Sequence, residues 1–147
     1  MEGANVSLSL GSDSCQSSNV SLNSDVDIFD QLSNIRSKYP KRFIYAYLNV
    51  YSIRYKICHI KEVLQKGIVD MLFLAETKLD QSFVDCQFKV DNYSLWRADR
   101  TANGGGLMIY LRSDIPGERK KQFEFGTIES IGANICNFDC GVSDIHN

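Results

Sequence analysis

The feature that most constrains this chain is a pair of apolar runs separated by one helical repeat. The first, Phe43-Ile44-Tyr45-Ala46-Tyr47-Leu48, is β-branched and aromatic and closes on Asn49. The second, Val69-Asp70-Met71-Leu72-Phe73-Leu74-Ala75, closes on Glu76. Between them Ile53, Ile57, Ile60 and Leu64 recur at helical spacing, Arg54, Lys56, Lys61 and Lys66 fall largely elsewhere on the wheel, and Gly67 supplies a C-terminal cap. Strand, helix, strand with short links is a βαβ unit, which predicts parallel neighbouring strands and a right-handed crossover. Both strands then finish in a polar side chain at the carboxyl edge of the sheet, where open α/β sheets build their sites. Either end alone could be a strand stopping where polarity begins; two such ends at matching positions favour a site.

The flanking segments extend this unit. Residues 1–25 hold eight serines and no aromatic residue, too little apolar surface to offset the entropy of ordering, and read as a disordered, Ser-rich leader. Over 26–40, Ile28, Leu32, Ile35 and Tyr39 form one face of an amphipathic helix, with Ser24 or Asp27 as N-cap and Pro40 as its stop. Residues 77–83 read as a loop or a short helical turn, 93–97 as a short strand and 99–106 as a flexible connection. Leu107, Ile109 and Leu111 alternate with Met108, Tyr110 and Arg112, a strand with one face toward a core. Pro116-Gly117 turns the chain, and 128–135 is expected to hold one further strand. The organisation expected is therefore a leader over 1–25, a helix over 26–40, an α/β unit over 41–131 and a divergent tail over 132–147.

Composition narrows the function classes. With 147 residues, 44% of them hydrophobic, and 16 Lys+Arg against 18 Asp+Glu, the chain suits one packed α/β or α+β unit and excludes collagen-like and coiled-coil readings. Residues 26–147 carry 16 basic and 15 acidic groups, so any meeting with nucleic acid relies on a local surface and not a global field. No apolar run approaches the roughly 20 residues that span a bilayer, and the start lacks a basic, apolar export signal. An intracellular protein without a membrane partner is expected, in the nucleus or cytoplasm, with Cys15, Cys58, Cys86, Cys136 and Cys140 as reduced thiols.

The chemistry follows from residue types. A carboxylate beside an amide oxygen is hard-ligand chemistry, suited to Mg²⁺ (or Mn²⁺), which takes few protein ligands and keeps waters for a phosphate to displace. Asn49 and Glu76 are the candidate catalytic and metal-binding residues. Gly104-Gly105-Gly106 precedes a strand, whereas nucleotide-binding loops follow one and open a helix, so close backbone packing or a hairpin kink is the preferred reading and no nucleotide site or small-molecule cofactor is expected. Cys136 and Cys140 with His146 make only half a zinc site, and Cys58 on the crossover helix reads as a buried thiol. Arg97, Asp99 and Arg100 could contact phosphates or be simply solvated.

Four blocks in order carry a resemblance: Leu48-Asn49-Val50-Tyr51-Ser52-Ile53-Arg54-Tyr55-Lys56; Asp70-Met71-Leu72-Phe73-Leu74-Ala75-Glu76-Thr77-Lys78-Leu79-Asp80; residues 93–100; and Gly104-Gly105-Gly106-Leu107-Met108-Ile109-Tyr110. Over about residues 26–131 the chain closely resembles the apurinic-endonuclease-like domain of non-LTR (LINE-type) retrotransposons, in the endonuclease/exonuclease/phosphatase superfamily. The resemblance implies the first half of a four-layer α/β-sandwich and Mg²⁺-dependent nicking of target DNA for retrotransposition. Asn49 matches the family's first active-site Asn and Glu76 its metal-binding Glu. Tyr93, Arg97, Asp99 and Arg100 match a motif that is partly structural and partly DNA-facing, which makes Tyr93, Arg97 and Arg100 candidate DNA contacts. Tyr51 and Tyr55 replace asparagines common in the family. The family's second half carries an active-site Tyr, an Asp-x-Asn pair and a Ser-Asp-His; from about Gly132 the sequence departs, and Ser143-Asp144-Ile145-His146 is no substitute. The expectation is a truncated endonuclease, inactive alone or a DNA- or protein-binding remnant, whose uncovered sheet face favours self-association.

Overall fold

The computed structural model describes residues 4–11, 17–22 and 25–135. Its centre is a mixed sheet in the order β2 (Ser17–Leu22), β1 (Ala4–Gly11), β3 (Phe43–Asn49), β4 (Met71–Ala75), β6 (Leu107–Arg112), β5 (Tyr93–Ala98). The four strands that carry the core are β3, β4, β5 and β6. Strands β3 and β4 are parallel, in register from Tyr45 opposite Met71 to Asn49 opposite Ala75; the crossover between them runs through a 3-10 turn, Ile53–Tyr55, and helix α2, Ile57–Gln65. Gly67 ends that helix in the left-handed region, φ 65°, as its position in the sequence predicts. Strand β6 returns antiparallel to β4 and pairs on its other side with β5.

Alternation along the strands divides the apolar residues between two faces. Ile44, Ala46, Leu48, Leu72, Leu74, Met108 and Tyr110 form the larger core with Leu32 of helix α1 (Asp25–Lys38) and Ile60, Val63 and Leu64 of α2. On the other face Met71, Ile109, Leu111 and Ile115 form a second cluster with the half-buried Phe43, Tyr45, Phe73, Trp96, Ile131 and Ile135. Strand β6 is thus buried on both faces, where the sequence pattern predicts one. It lies inside the sheet, and the ribbon of β7 (Gly117–Arg119) and β8 (Ala133–Ile135) brings Ile131 and Ile135 against its second side.

Three segments differ from expectation. Within the expected leader, β1 (Ala4–Gly11) and β2 (Ser17–Leu22) form an antiparallel hairpin, and β1 pairs along β3 from Val6 opposite Leu48 to Gly11 opposite Phe43. The alternation Val6, Leu8, Leu10 suits a strand, and the open edge of β3 supplies backbone partners that local composition does not reveal. The strand expected over 128–135 is limited to β8, and because β8 pairs with β7 the divergent tail begins inside a folded ribbon. Cys58, expected as a buried thiol, is exposed on α2, as is Cys86 beyond β4. Ser24, Cys15, Cys136, Cys140 and His146 lie outside the described residues. No helix among the described residues is long and apolar enough to cross a membrane.

Candidate functional site

The parallel register sets the geometry of the sheet edge. Asn49 ends β3 opposite Ala75, and the ladder continues past both strands: Val50 N–H donates to the Ala75 carbonyl at 3.0 Å, Ser52 to that of Glu76 at 2.8 Å and Ile53 to that of Thr77 at 3.1 Å. Asn49 and Glu76 therefore leave neighbouring strands at one edge. The backbone there is strained. Tyr51, Ser52, Glu76 and Lys78 all have positive φ, at 47°, 88°, 57° and 54°, although none is glycine. Such conformations persist only where surrounding structure enforces them, and they cluster at functional edges. The buried hydroxyls of Ser52 and Thr77, either side of this turn, have no hydrogen-bond partner among the described residues.

The enforcing structure is the glycine segment. Gly105 and Gly106 are buried, with φ of 75° and 95°, and their carbonyls accept from Lys78 N–H at 2.9 Å and Thr77 N–H at 3.3 Å. A β-carbon on Gly106 would overlap the Thr77 hydroxyl, and one on Gly105 would overlap the Glu129 carboxylate and the Arg100 side chain. Close backbone approach is the reason for these glycines, and a pinned turn stands where the sequence suggested a flexible connection. The Gly105 N–H donates to Glu76 Oε2 at 3.1 Å, and the Gly106 N–H to Glu129 Oε2 at 2.9 Å.

These carboxylates border an open cleft of about 830 Å³, lined by Glu76, Asp99, Arg100 and Lys121 and by the 124–130 loop. The other acids of the cleft are neutralised by arginines. Asp99 takes Arg97 at 2.6 Å, Glu129 takes Arg100 at 3.2 Å, and Glu124 takes Arg119 through two oxygens at 2.7 and 3.0 Å. That pairing holds the Glu124 carboxyl below the usual carboxylate range. Glu76 is instead fixed by a backbone amide, which orients the carboxylate without cancelling its charge. Asn49 does not line the cleft; its Oδ1 accepts from Tyr51 N–H at 3.2 Å and so braces the strained turn beside Glu76. The Lys78 ammonium lies 3.5 Å from the centre of the Tyr51 ring, so Tyr51 is held by a cation on the same edge.

The chain matches no model of a known protein family, and no curated protein matches it.

Of the three residues expected to face DNA, two are taken up by the fold. Tyr93 is buried, its hydroxyl donates to the Val69 carbonyl at 2.6 Å, and burial pushes its phenol up to about 12. The Arg97 side chain is 9% exposed and bonds Asp85, Asp99 and the carbonyl of Phe83, tying β5 to the loop after β4. Arg100 is 67% exposed at the cleft. Sequence reasoning could not separate the two arginines, because both sit among polar neighbours and only tertiary contact reveals which is enclosed. It also passed over Glu129, whose partners lie 23 and 29 positions away.

A divalent cation can be tested against these donors. No group of three or more His, Cys, Asp or Glu side chains suited to a metal occurs among the described residues, so no cage made wholly of protein ligands is formed. Mg²⁺ needs no such cage: one or two carboxylates with waters and substrate oxygens suffice. Glu76, bonded through one oxygen and not neutralised by an arginine, fits that demand.

Proposed function

We propose that this chain supplies the metal-holding half of a Mg²⁺-dependent DNA endonuclease site, of the kind its sequence resembles in LINE-type retrotransposons. The observation that carries this reading is Glu76, fixed by the Gly105 amide in a strained conformation beside an open cleft whose other acids are paired with arginine. When bound there, the divalent ion supplies positive charge for a phosphodiester oxygen. Glu76 holds it. Asn49 braces the Tyr51 turn against which Glu76 is placed. Arg100 lies on the cleft wall, within reach of a phosphate, while Arg97 and Tyr93 support β5 from within. Among the described residues the cleft wall carries no histidine, and its carboxylates other than Glu76 are paired with arginines, which leaves no unpaired carboxylate there to accept the proton of an attacking water.

The reading is tested with the full chain. Mn²⁺ should bind at about one site and be lost in Glu76→Ala, read by titration calorimetry. Supercoiled plasmid should remain intact with Mg²⁺, since the described cleft residues leave no histidine or unpaired carboxylate beside Glu76 to act as base. Glu76-dependent nicking would instead make the chain a complete nuclease, and Mn²⁺ binding indifferent to Glu76→Ala would end the metal reading. A labelled duplex should be retained weakly, with Arg100→Ala reducing retention and Arg97→Ala lowering the melting temperature.

A non-catalytic binding role has its own supporting observation. Phe43, Tyr45 and Phe73 are only half buried on the second sheet face, Tyr45 and Phe73 meet edge to face at 6.1 Å, and Tyr47 is 40% exposed. An aromatic surface of this kind favours association with a second copy or a protein partner.

A further inference from the structure

We propose that Glu129 is a positioning residue for Glu76, acting through the Gly105–Gly106 turn, and that it also stations Arg100 on the cleft wall. The inference rests on the reading of Glu76 as a cation ligand and adds to it the device that aims that ligand.

The chain of contacts is short and each link is a hydrogen bond. Glu129 Oε2 accepts from Gly106 N–H at 2.9 Å; the adjoining Gly105 N–H donates to Glu76 Oε2 at 3.1 Å. Two carboxylates from distant parts of the chain are thus held by consecutive amides of one turn. The turn has little freedom of its own, because its carbonyls accept from Thr77 and Lys78, the residues that follow Glu76. Its outer side is closed by Glu129, against whose carboxylate Gly105 is packed so closely that a β-carbon would overlap it. The other oxygen of Glu129 accepts from Arg100 Nη1 at 3.2 Å. A carboxylate with one oxygen on an amide and the other on a guanidinium is a poor metal ligand, since both oxygens are committed. It is well suited to orient a neighbouring carboxylate that is the ligand. Groups in this outer position typically alter metal affinity by about 10- to 100-fold when removed.

The loop that presents Glu129 is itself anchored. Lys120 N–H donates to the Gly132 carbonyl at 2.7 Å, Gly132 N–H to Glu124 Oε1 at 3.1 Å, and Phe125 N–H to Ser130 Oγ at 3.2 Å. The loop between β7 and β8 therefore delivers Glu129 to the glycine turn that also holds Glu76. Its contribution to the site is a constraint on direction and not a further charge for the cation.

The test compares Glu129→Ala with Glu129→Gln in the full chain. The glutamine keeps an oxygen acceptor for the Gly106 N–H and gives up the charge; the alanine gives up both. Two measurements are made, Mn²⁺ affinity by calorimetry and hydrogen exchange of the Gly105 amide by NMR, with melting temperatures to establish that both variants fold. Expected for alanine is a 10- to 100-fold loss of Mn²⁺ affinity and faster exchange at Gly105. Expected for glutamine, which keeps the shape of the side chain and the oxygen acceptor, is recovery to within about threefold of the parent in both. Unchanged affinity and exchange in Glu129→Ala, while Glu76→Ala abolishes binding, would overturn the positioning role and leave the metal reading intact. Equal loss in alanine and glutamine would overturn it too, since charge and not the acceptor would then matter. Were the parent to show no Glu76-dependent binding, the metal reading would fall, and Gly105 exchange in Glu129→Ala would alone decide whether the two carboxylates are coupled.

Discussion

Replacing Asp70 with alanine would leave two guanidiniums facing an enclosed gap. Asp70 interrupts an otherwise apolar run, yet its side chain is buried and satisfied from three directions: Arg36 at 2.7 Å, Arg112, and the Ile44 N–H at 2.7 Å. It joins α1, β3, the start of β4 and the end of β6. Removing one member of a buried ion network costs more than the network contributes, because the remaining charges lose their partner without regaining full hydration. Both arginines are partly exposed, so the lower end of the usual range applies, and Asp70→Ala is expected to lose about 3 kcal/mol in urea unfolding. From sequence, Asp70 is one polar letter in a strand. Its role depends on arginines 34 positions before it and 42 after it.

At the scale of elements, the β7–β8 ribbon has a dependence on pH. Glu124, paired through both oxygens with Arg119 and accepting from Gly132 N–H, has its carboxyl lowered from the ordinary value of 4.5, chiefly by the Arg119 hydrogen bonds. A lowered folded value means a contribution present above about pH 4.5 and lost as pH falls through the folded value. Trp96, the one tryptophan of the chain, shares its cluster with Ile131 and Ile135 and so reports on the ribbon. Acidification below about pH 4.5 should shift Trp96 emission to the red as the ribbon loosens. In Glu124→Gln the transition should flatten, because the group that titrates is gone. The same element carries Glu129, so loosening it should also weaken Mn²⁺ binding. The helices and strands of the βαβ unit were readable as elements because their period is written in neighbouring residues. Of the ribbon only β8 was anticipated, as part of a strand expected over 128–135; β7 was not, since a three-residue strand carries too few positions to establish a period.

For the whole molecule, the unequal cover of the two sheet faces is decisive. Among the described residues, helices α1 and α2 pack on one face, while the ribbon covers only part of the other, where Phe43, Tyr45 and Phe73 are half-buried and Tyr47 is exposed along β3 and β4. Sedimentation velocity should show association that rises with concentration, and Tyr45→Lys with Tyr47→Lys should suppress it without lowering the melting temperature much; a strictly monomeric parent would refute the association. The hairpin of β1 and β2 extends the sheet beyond β3 and shows why composition alone misjudged the first residues: a serine-rich strand is stabilised by the ladder it joins.

What the sequence by itself determined is the parallel unit and the edge at which Asn49 and Glu76 emerge. Both follow from periodicity and from where polarity begins, which are properties of adjacent residues. Only the tertiary structure decided which charges are used and for what: Arg97 enclosed and Arg100 at the cleft, Asn49 bracing a turn, Glu129 meeting the glycines. Such pairings join residues far apart in the chain, and a side chain's partner is fixed by the space that folding leaves around it, which no local pattern encodes.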